Sequence, residues 1–332
     1  MIELIPHGTN YDFIGKWRWT VLGSLAVIAL GLAAIPVLGL RWGIDFAGGA
    51  EVQVHFEDGV DASVNAVRAA VRDLGLGEPT VVRSEVGGQD QYLIRYLGTR
   101  EQAEGETQNQ AADRIQAALV EKVGAVTVDR VEFVGPKVGA ELRSAGTKAM
   151  AIAWLMILVY IGFRFSPRFA PGAVVALIHD VVVTSAIWIL LGQPFDLQVL
   201  AGLLAIVGYS INDTIIIYDR IRETMALRTS HDLADVINRS VNATLSRTIL
   251  TGGLTLVAVL ALLLAGGPAI FPFSATMAIG IVVGTYSSIY IAAPIMLILE
   301  RRFGETAGTA GKSAAKGAGK KRGGKRPKAA RA

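Results

Sequence analysis

Residues 197–218 read LQVLAGLLAIVGYSINDTIIIY, an apolar run with a single charged residue, Asp213, set beside Asn212. Coiled as a helix at 1.5 Å per residue the run is about 33 Å long, enough to cross the hydrocarbon core of a bilayer. Five further runs of similar character occupy 20–40, 145–165, 169–191, 248–265 and 273–299. Six transmembrane helices are therefore predicted. The second is the weakest of them, uncharged only between Ala149 and Phe163, and its ends need Lys148 and Arg164 to snorkel outwards. Composition agrees with a membrane sector: 52% of the 332 residues are hydrophobic and 18% charged, against roughly 45–50% and 25% in soluble domains.

The formal net charge of +4 conceals two opposite populations. Eleven Lys and Arg residues and one acid lie in 301–332, which leaves 21 basic and 27 acidic residues in the rest of the chain. Residues 300–332, rich in Gly, Ala, Lys and Arg, hold too little apolar surface for a core and are expected to be a disordered basic tail. Such a tail can touch anionic lipid or ribosomal RNA, or simply solubilise. Cysteine is absent, which removes disulfides, thiolate nucleophiles and thiolate metal sites. No His or carboxylate grouping has metal-ligand spacing, and no hydrolase signature points to an enzyme.

Orientation follows from the charges between the runs. Lys16, Arg18, Arg164, Arg168, Arg220, Arg222, Arg228, Arg239, Arg247 and the tail all fall on one side, while the short connections 192–196 and 266–272 have no Lys or Arg. The positive-inside rule makes that side cytoplasmic, with residues 1–19 and the tail both inside and the first helix an uncleaved anchor. The one large hydrophilic segment, 41–148, is then exported, and it is acidic, with twelve basic and seventeen acidic residues.

Within 41–144 the hydrophobic periods alternate between 2 and 3.6. They predict a strand at 51–56, a helix at 61–74, strands at 80–83 and 91–97, a helix at 111–123 and a strand at 126–133. The order βαββαβ is that of a ferredoxin-like split unit. On the cytoplasmic side, 219–247 is expected to hold an amphipathic helix capped by Thr229 or Ser230. Its stripe of Leu233, Val236, Ile237, Val241 and Leu245 is expected to lie along the inner interface.

Charges inside the spans are few, and each costs about 2.5–3.5 kcal/mol near a helix centre on insertion scales, so each needs an explanation. Asp213 sits five residues, or about 7.5 Å, above the inner end of its span. Arg247 opens the fifth span from the same face and can reach inwards along its stem, so the two are expected to meet. Desolvation favours a neutral acid and a nearby cation favours the carboxylate; an Asp held between these pulls can change protonation with small shifts of hydration. The competing reading is a static ion pair that fastens two helices. Asp180, beside His179 in the third span, has the same two readings, its partner being the Thr184 hydroxyl or the His179 imidazole. Gly252, Gly253, Gly280 and Gly284 are small-residue faces for helix packing.

After the first span, Gly43-Ile-Asp-Phe-Ala-Gly-Gly49 turns the backbone into the first strand, with Asp45 as a turn acceptor or contact point. It is no phosphate loop, because no helix follows Gly49 and no Lys-Ser/Thr is present. Together with Val134-Gly-Pro-Lys-Val-Gly139, Ala176-Leu-Ile-His-Asp180, Val207-Gly-Tyr-Ser-Ile-Asn-Asp-Thr214, Tyr218-Asp-Arg-Ile-Arg-Glu223 and Ser246-Arg-Thr248, it makes the chain resemble the SecF family, the partners of SecD in bacterial protein export. The resemblance spans almost the whole chain and carries several expectations. Two resistance-nodulation-division (RND) type halves would form a twelve-helix body in the bacterial inner membrane, with SecD as the missing half. The proton-motive force, with no bound cofactor, would drive outer domains that pull or hold a preprotein emerging from the SecYEG channel; YajC and YidC are further partners. Asp213 and Arg247 would carry the proton, Asn212 would support them, and Asp180 lies in a family motif. Gly43, Asp45, Phe46, Gly48, Gly49, Gly135 and Pro136 would be motif positions of structural importance. Two other readings compete: half of a small-molecule efflux pump, opposed by the small outer domain, and a structural clamp that conducts nothing.

Overall fold

The computed structural model describes residues 9–57, 59–60, 62–75, 79–86, 89–96, 108–164, 169–227 and 232–302. The expected tail beyond residue 302 and the two expected caps, Thr229 and Ser230, lie outside them, as do Arg168 and Arg228.

A first long helix, α1 (Trp17–Leu38), leads through a one-turn helix, α2 (Ile44–Ala47), into a small domain. Its elements are β1 (Gly49–Phe56), α3 (Val64–Arg72), β2 (Thr80–Val86), β3 (Gln89–Tyr96), α4 (Gln108–Lys122) and β4 (Val126–Val134). The four strands form one antiparallel sheet in the order β2-β3-β1-β4, with a register irregularity between Gln53 and Val54 where β1 pairs with β4. Alternation decides which face is covered: Val52 and Val54 are fully buried while Gln53 and His55 are not. They pack with Tyr92 and Ile94 against Val67 and Val71 of α3 and Ile115 and Leu119 of α4. Full burial of each such aliphatic side chain contributes about 1.5–3 kcal/mol. Helix α3 starts where the Ser63 side chain accepts the Ala66 N–H, 3.2 Å away.

The remaining helices are α5 (Pro136–Arg164), α6 (Ala170–Leu190), α7 (Leu197–Ala226), α8 (Leu233–Ala265) and α9 (Phe271–Ser287), the last continuing through a π-helical turn, Ser288–Ala292, to residue 302. With α1 they make, among the described residues, six helices long and apolar enough to cross a membrane. Helices α6, α7 and α9 bury the most surface; α1, α5 and α8 turn broad apolar faces outwards. Close approach is bought with missing side chains: Gly31 of α1 lies on Ala186 of α6, Gly202 of α7 on Thr276 of α9, and Gly280 of α9 on Ile206 of α7. Gly253, expected to serve the same purpose, meets open space instead.

One expectation is overturned. The amphipathic stripe at 233–245 belongs to no separate interfacial helix. It is the first part of α8, a single helix of 33 residues capped by the Asp232 side chain on Ala234 N–H at 3.1 Å. Ile237, Val241 and Leu245 enter the same core as Tyr218 and Ile221 of α7, and Val236 is buried too. At 1.5 Å per residue α8 is about 50 Å long, so it extends beyond a hydrocarbon core of about 30 Å. The stripe therefore faces a neighbouring helix, which also runs past Tyr218 to Ala226. The chain's beginning is clipped onto this extension. Asn242 pairs with the Tyr11 backbone through both of its amide atoms at 2.9 Å, while Asn238 accepts from Phe13 N–H at 2.9 Å and donates to Asp12 at 3.0 Å.

Candidate functional site

Helix α7 carries the buried Asp213, and its first turn is fixed from two sides. Asp196 caps it by accepting the Val199 N–H at 2.8 Å, and Asp45 in α2 accepts the neighbouring Leu197 N–H at 2.9 Å. The segment before α2 is tied to the same corner: Gly43 N–H donates to Phe195 O at 2.6 Å and Phe195 N–H to Arg41 O at 2.8 Å. The glycine motif is thereby explained residue by residue. Gly48 and Gly49 take φ values of 80° and 143°, open to glycine, at the exit into β1. A side chain at Gly43 would strike Asp196, and one at Gly139 of α5 would press on the backbone of Gly48. Phe46 is buried edge-on to Trp42, ring centres 5.9 Å apart. Pro136 opens α5, where its missing N–H costs nothing, and Gly135 O accepts the Gly139 N–H at 2.9 Å.

Further along α7, Ser210, Asp213, Thr214, Ile217 and Tyr218 form one buried stripe at helical spacing. Asp213 is 2% exposed and its Oδ2 has no hydrogen-bond partner. A buried carboxyl oxygen left unpaired costs on the order of 1–3 kcal/mol. Other orphaned hydroxyls line the bundle interior: Thr184 of α6, Thr248 of α8 and Thr276 of α9. Thr214 and Tyr218 are satisfied by the π-turn, through Ser288 Oγ at 3.0 Å and Ala292 O at 3.0 Å.

The expected meeting of Asp213 with Arg247 is not made as an ion pair. Among the described residues Asp213 and Arg247 form no ion pair: Asp213 Oδ2 has no partner and Arg247 lies on the exposed face of α8. Asn212 also lies on the exposed side of α7, one position round from the buried stripe.

Asp180 has a complete shell instead. Ser210 Oγ donates to its Oδ2, and His179 Nδ1 lies 3.2 Å from its Oδ1. On the other side of the ring, His179 Nε2 is 2.8 Å from the Tyr286 hydroxyl. Asp180 is fully buried, and Gly284 keeps the space beside it clear, since a side chain there would press on Ser210. Of the two expected partners, the imidazole is used; Thr184 is not. Ser210 and Tyr286 were missed by sequence reasoning. Ser210 had a signal, lying three residues before Asp213 on the same helical face, while Tyr286 had none in its local sequence. Among the described residues no group of three His, Cys, Asp or Glu side chains is placed to hold a metal.

A family model described as "Protein export membrane protein SecD/SecF, C-terminal" matches residues 115–302, and one described as "SecD/SecF GG Motif" matches residues 33–60. The protein translocase subunit SecF of Magnetococcus marinus is 44% identical over 301 residues, which cover 90% of this chain and 95% of that protein. Its counterpart in Escherichia coli O157:H7 is 38% identical over 304 residues, covering 90% and 91%. The crystal structure of SecDF, a translocon-associated membrane protein from Thermus, is similar at a TM-score of 0.75 and 31% identity, covering 89% of this chain and 39% of that one. The chain thus spans about two fifths of that SecDF chain. With six membrane-length helices and these likenesses over nine tenths of its length, the chain belongs to the SecF family of multi-pass protein-export membrane proteins.

Proposed function

We propose that this chain works with SecD as a proton-driven export subunit, in which protonation of Asp213 inside the bundle is coupled to movement of the small sheet domain. The observation that carries the reading is the architecture of α7. One buried helix bears an unpaired carboxyl oxygen at Asp213 and, about 24 Å away at 1.5 Å per residue, an end capped by Asp45 at the root of the outer domain. A change of charge at one end has a direct mechanical route to the other.

In this reading both termini are cytoplasmic, the membrane is the bacterial inner membrane, and the sheet domain is a periplasmic ferredoxin-like unit. The strand order β2-β3-β1-β4 with two helices on one face supports the last assignment. The exposed positions of Asn212 and Arg247 support a partner helix from SecD beside α7 and α8. The proton pathway is then completed between two chains. SecYEG supplies the emerging preprotein that the outer domains hold, and YajC and YidC join the assembly. One elementary charge falling through 100 mV releases about 2.3 kcal/mol, a shift of about 50-fold in a two-state equilibrium. That drive is sufficient to bias a domain tilt.

The test is Asp213→Asn in membranes containing the partner subunit and the channel. The variant is expected to assemble normally and to lose the stimulation of secretion by the proton-motive force. Retention of that stimulation would remove the basis of the reading.

A further inference from the structure

Besides Asp213, the membrane interior holds a second protonatable assembly: Tyr286, His179, Asp180 and Ser210, linked in that order across α9, α6 and α7. With Asp180 ionised and His179 neutral, one hydrogen arrangement satisfies every link at once. Tyr286 O–H donates to His179 Nε2, His179 Nδ1–H donates to Asp180 Oδ1, and Ser210 O–H donates to Asp180 Oδ2. Each donor meets one acceptor, and the acid accepts twice. Ser210 then stands one helical turn before Asp213 on the same buried stripe.

The other end of the chain points towards the tail side of the bundle. Tyr286 is followed one turn later by Tyr290, ring centres 6.3 Å apart, and Tyr290 stands edge-on to Phe13 at 5.8 Å. Phe13 belongs to the segment clipped onto the extension of α8. The remaining elements around α6 bring few competing groups to the imidazole. Helix α1 has no titratable side chain between Thr20 and Leu38, and α5 has only Tyr160 between Ala149 and Phe163. Helix α7 contributes Tyr209, Asp213 and Tyr218, the last already committed to Ala292 O.

We propose that His179 carries protons between the tail side of the bundle and Asp180, with Tyr286 as its contact on that side; this rests on the proton-driven reading of Asp213. In one transfer, Tyr286 gives its hydroxyl proton to Nε2 and regains one from water reaching it past Tyr290. The Nδ1–H bond breaks as an O–H bond forms on Asp180 Oδ1. The imidazole ends neutral with its hydrogen on the other nitrogen, the carboxyl ends neutral, and one proton has left the water. Resetting requires the Tyr286 hydroxyl to turn and accept from Nε2–H. A static network that merely joins three helices needs the same contacts but no exchangeable imidazole, and that difference is measurable.

The experiment compares His179→Gln and Tyr286→Phe with Asp213→Asn, each purified with its partner subunit and assayed for secretion driven by the proton-motive force between pH 6 and pH 8. Glutamine keeps one donor and one acceptor but cannot relay a proton, so the driven rate should fall at least tenfold with assembly intact. Tyr286→Phe preserves the ring packing and removes one link, so the rate should fall several-fold and the pH profile should move. A wild-type rate and profile in either variant overturns the proposal. If Asp213→Asn abolishes the drive while His179→Gln keeps it, only the role of His179 fails; if Asp213→Asn also keeps it, the underlying reading fails first.

Discussion

The Asp45 carboxylate accepts the backbone N–H of Leu197 at 2.9 Å, so a residue at the root of the sheet domain caps a helix that begins 152 positions later. An N-terminal cap is worth about 0.5–2 kcal/mol, and here the cap crosses between two parts of the molecule. Asp45→Ala should lower stability by about 1 kcal/mol and depress export out of proportion to that loss. Asp45→Asn should retain most of both. The check is thermal unfolding in detergent alongside secretion driven by the proton-motive force, and equal behaviour of the two variants would contradict the cap.

Asp196, the second cap on α7, is 7% exposed. Burial pushes its carboxyl above the usual carboxylate range, with Asp45 and Glu51 adding to the push, while the Val199 N–H and Arg95 oppose it. A raised value means that the folded state holds the proton more readily than the unfolded state. Stability from this group is therefore greatest below the unfolded value, near pH 3.9, and falls as pH rises through the folded one. Asparagine caps as well and carries no charge. Asp196→Asn should unfold at a higher temperature than the wild type at neutral pH, the gap closing on acidification towards pH 4. A gap independent of pH would refute the assignment.

At Gly284 an added methyl-sized group would come within 3.0 Å of Ser210 Cβ and 3.6 Å of Asp180 Oδ2. Gly284→Val should push Ser210 away and deprive Asp180 of a donor, costing roughly 1–3 kcal/mol for the overpacking alone. Ala at the same site should be milder. Melting temperatures of the two variants, compared with that of Ser210→Ala, separate crowding from the lost hydrogen bond.

The segment at Tyr11–Phe13 is held to α8 by four hydrogen bonds to Asn238 and Asn242. Asn238→Ala should release it. Backbone amides of Phe13 and Ile14, which both donate to Asn238, should then exchange with solvent faster, by tenfold or more. Unchanged exchange at these two amides would mean that packing of Phe13 against Tyr290 suffices to hold the segment.

Membrane runs and strand alternation were legible because a single period, or the want of one, fixes their environment. The amphipathic stripe at 233–245 was not, since Ile237, Val241 and Leu245 look the same whether they meet lipid or Ile221 and Tyr218 of a neighbouring helix. Asp213 is buried on α7 while Arg247 is exposed on α8. The direction in which each points depends on how α7 and α8 rotate about their axes, which no local pattern states. The Asp45 contact and the link from Tyr286 to His179 join residues 152 and 107 positions apart, a separation at which only the assembled fold brings donors to acceptors.

The π-turn at Ser288–Ala292 has a consequence of its own. A turn of this kind holds one surplus residue, so everything after it is rotated by about 100° relative to a continuous α-helix. Ala293, Met296 and Leu297, all buried, follow the turn and take their direction from that offset. Shortening the stretch by one residue would let the helix relax to ordinary winding while swinging those three side chains outwards, an unusual case where a more regular backbone yields a worse-fitting bundle.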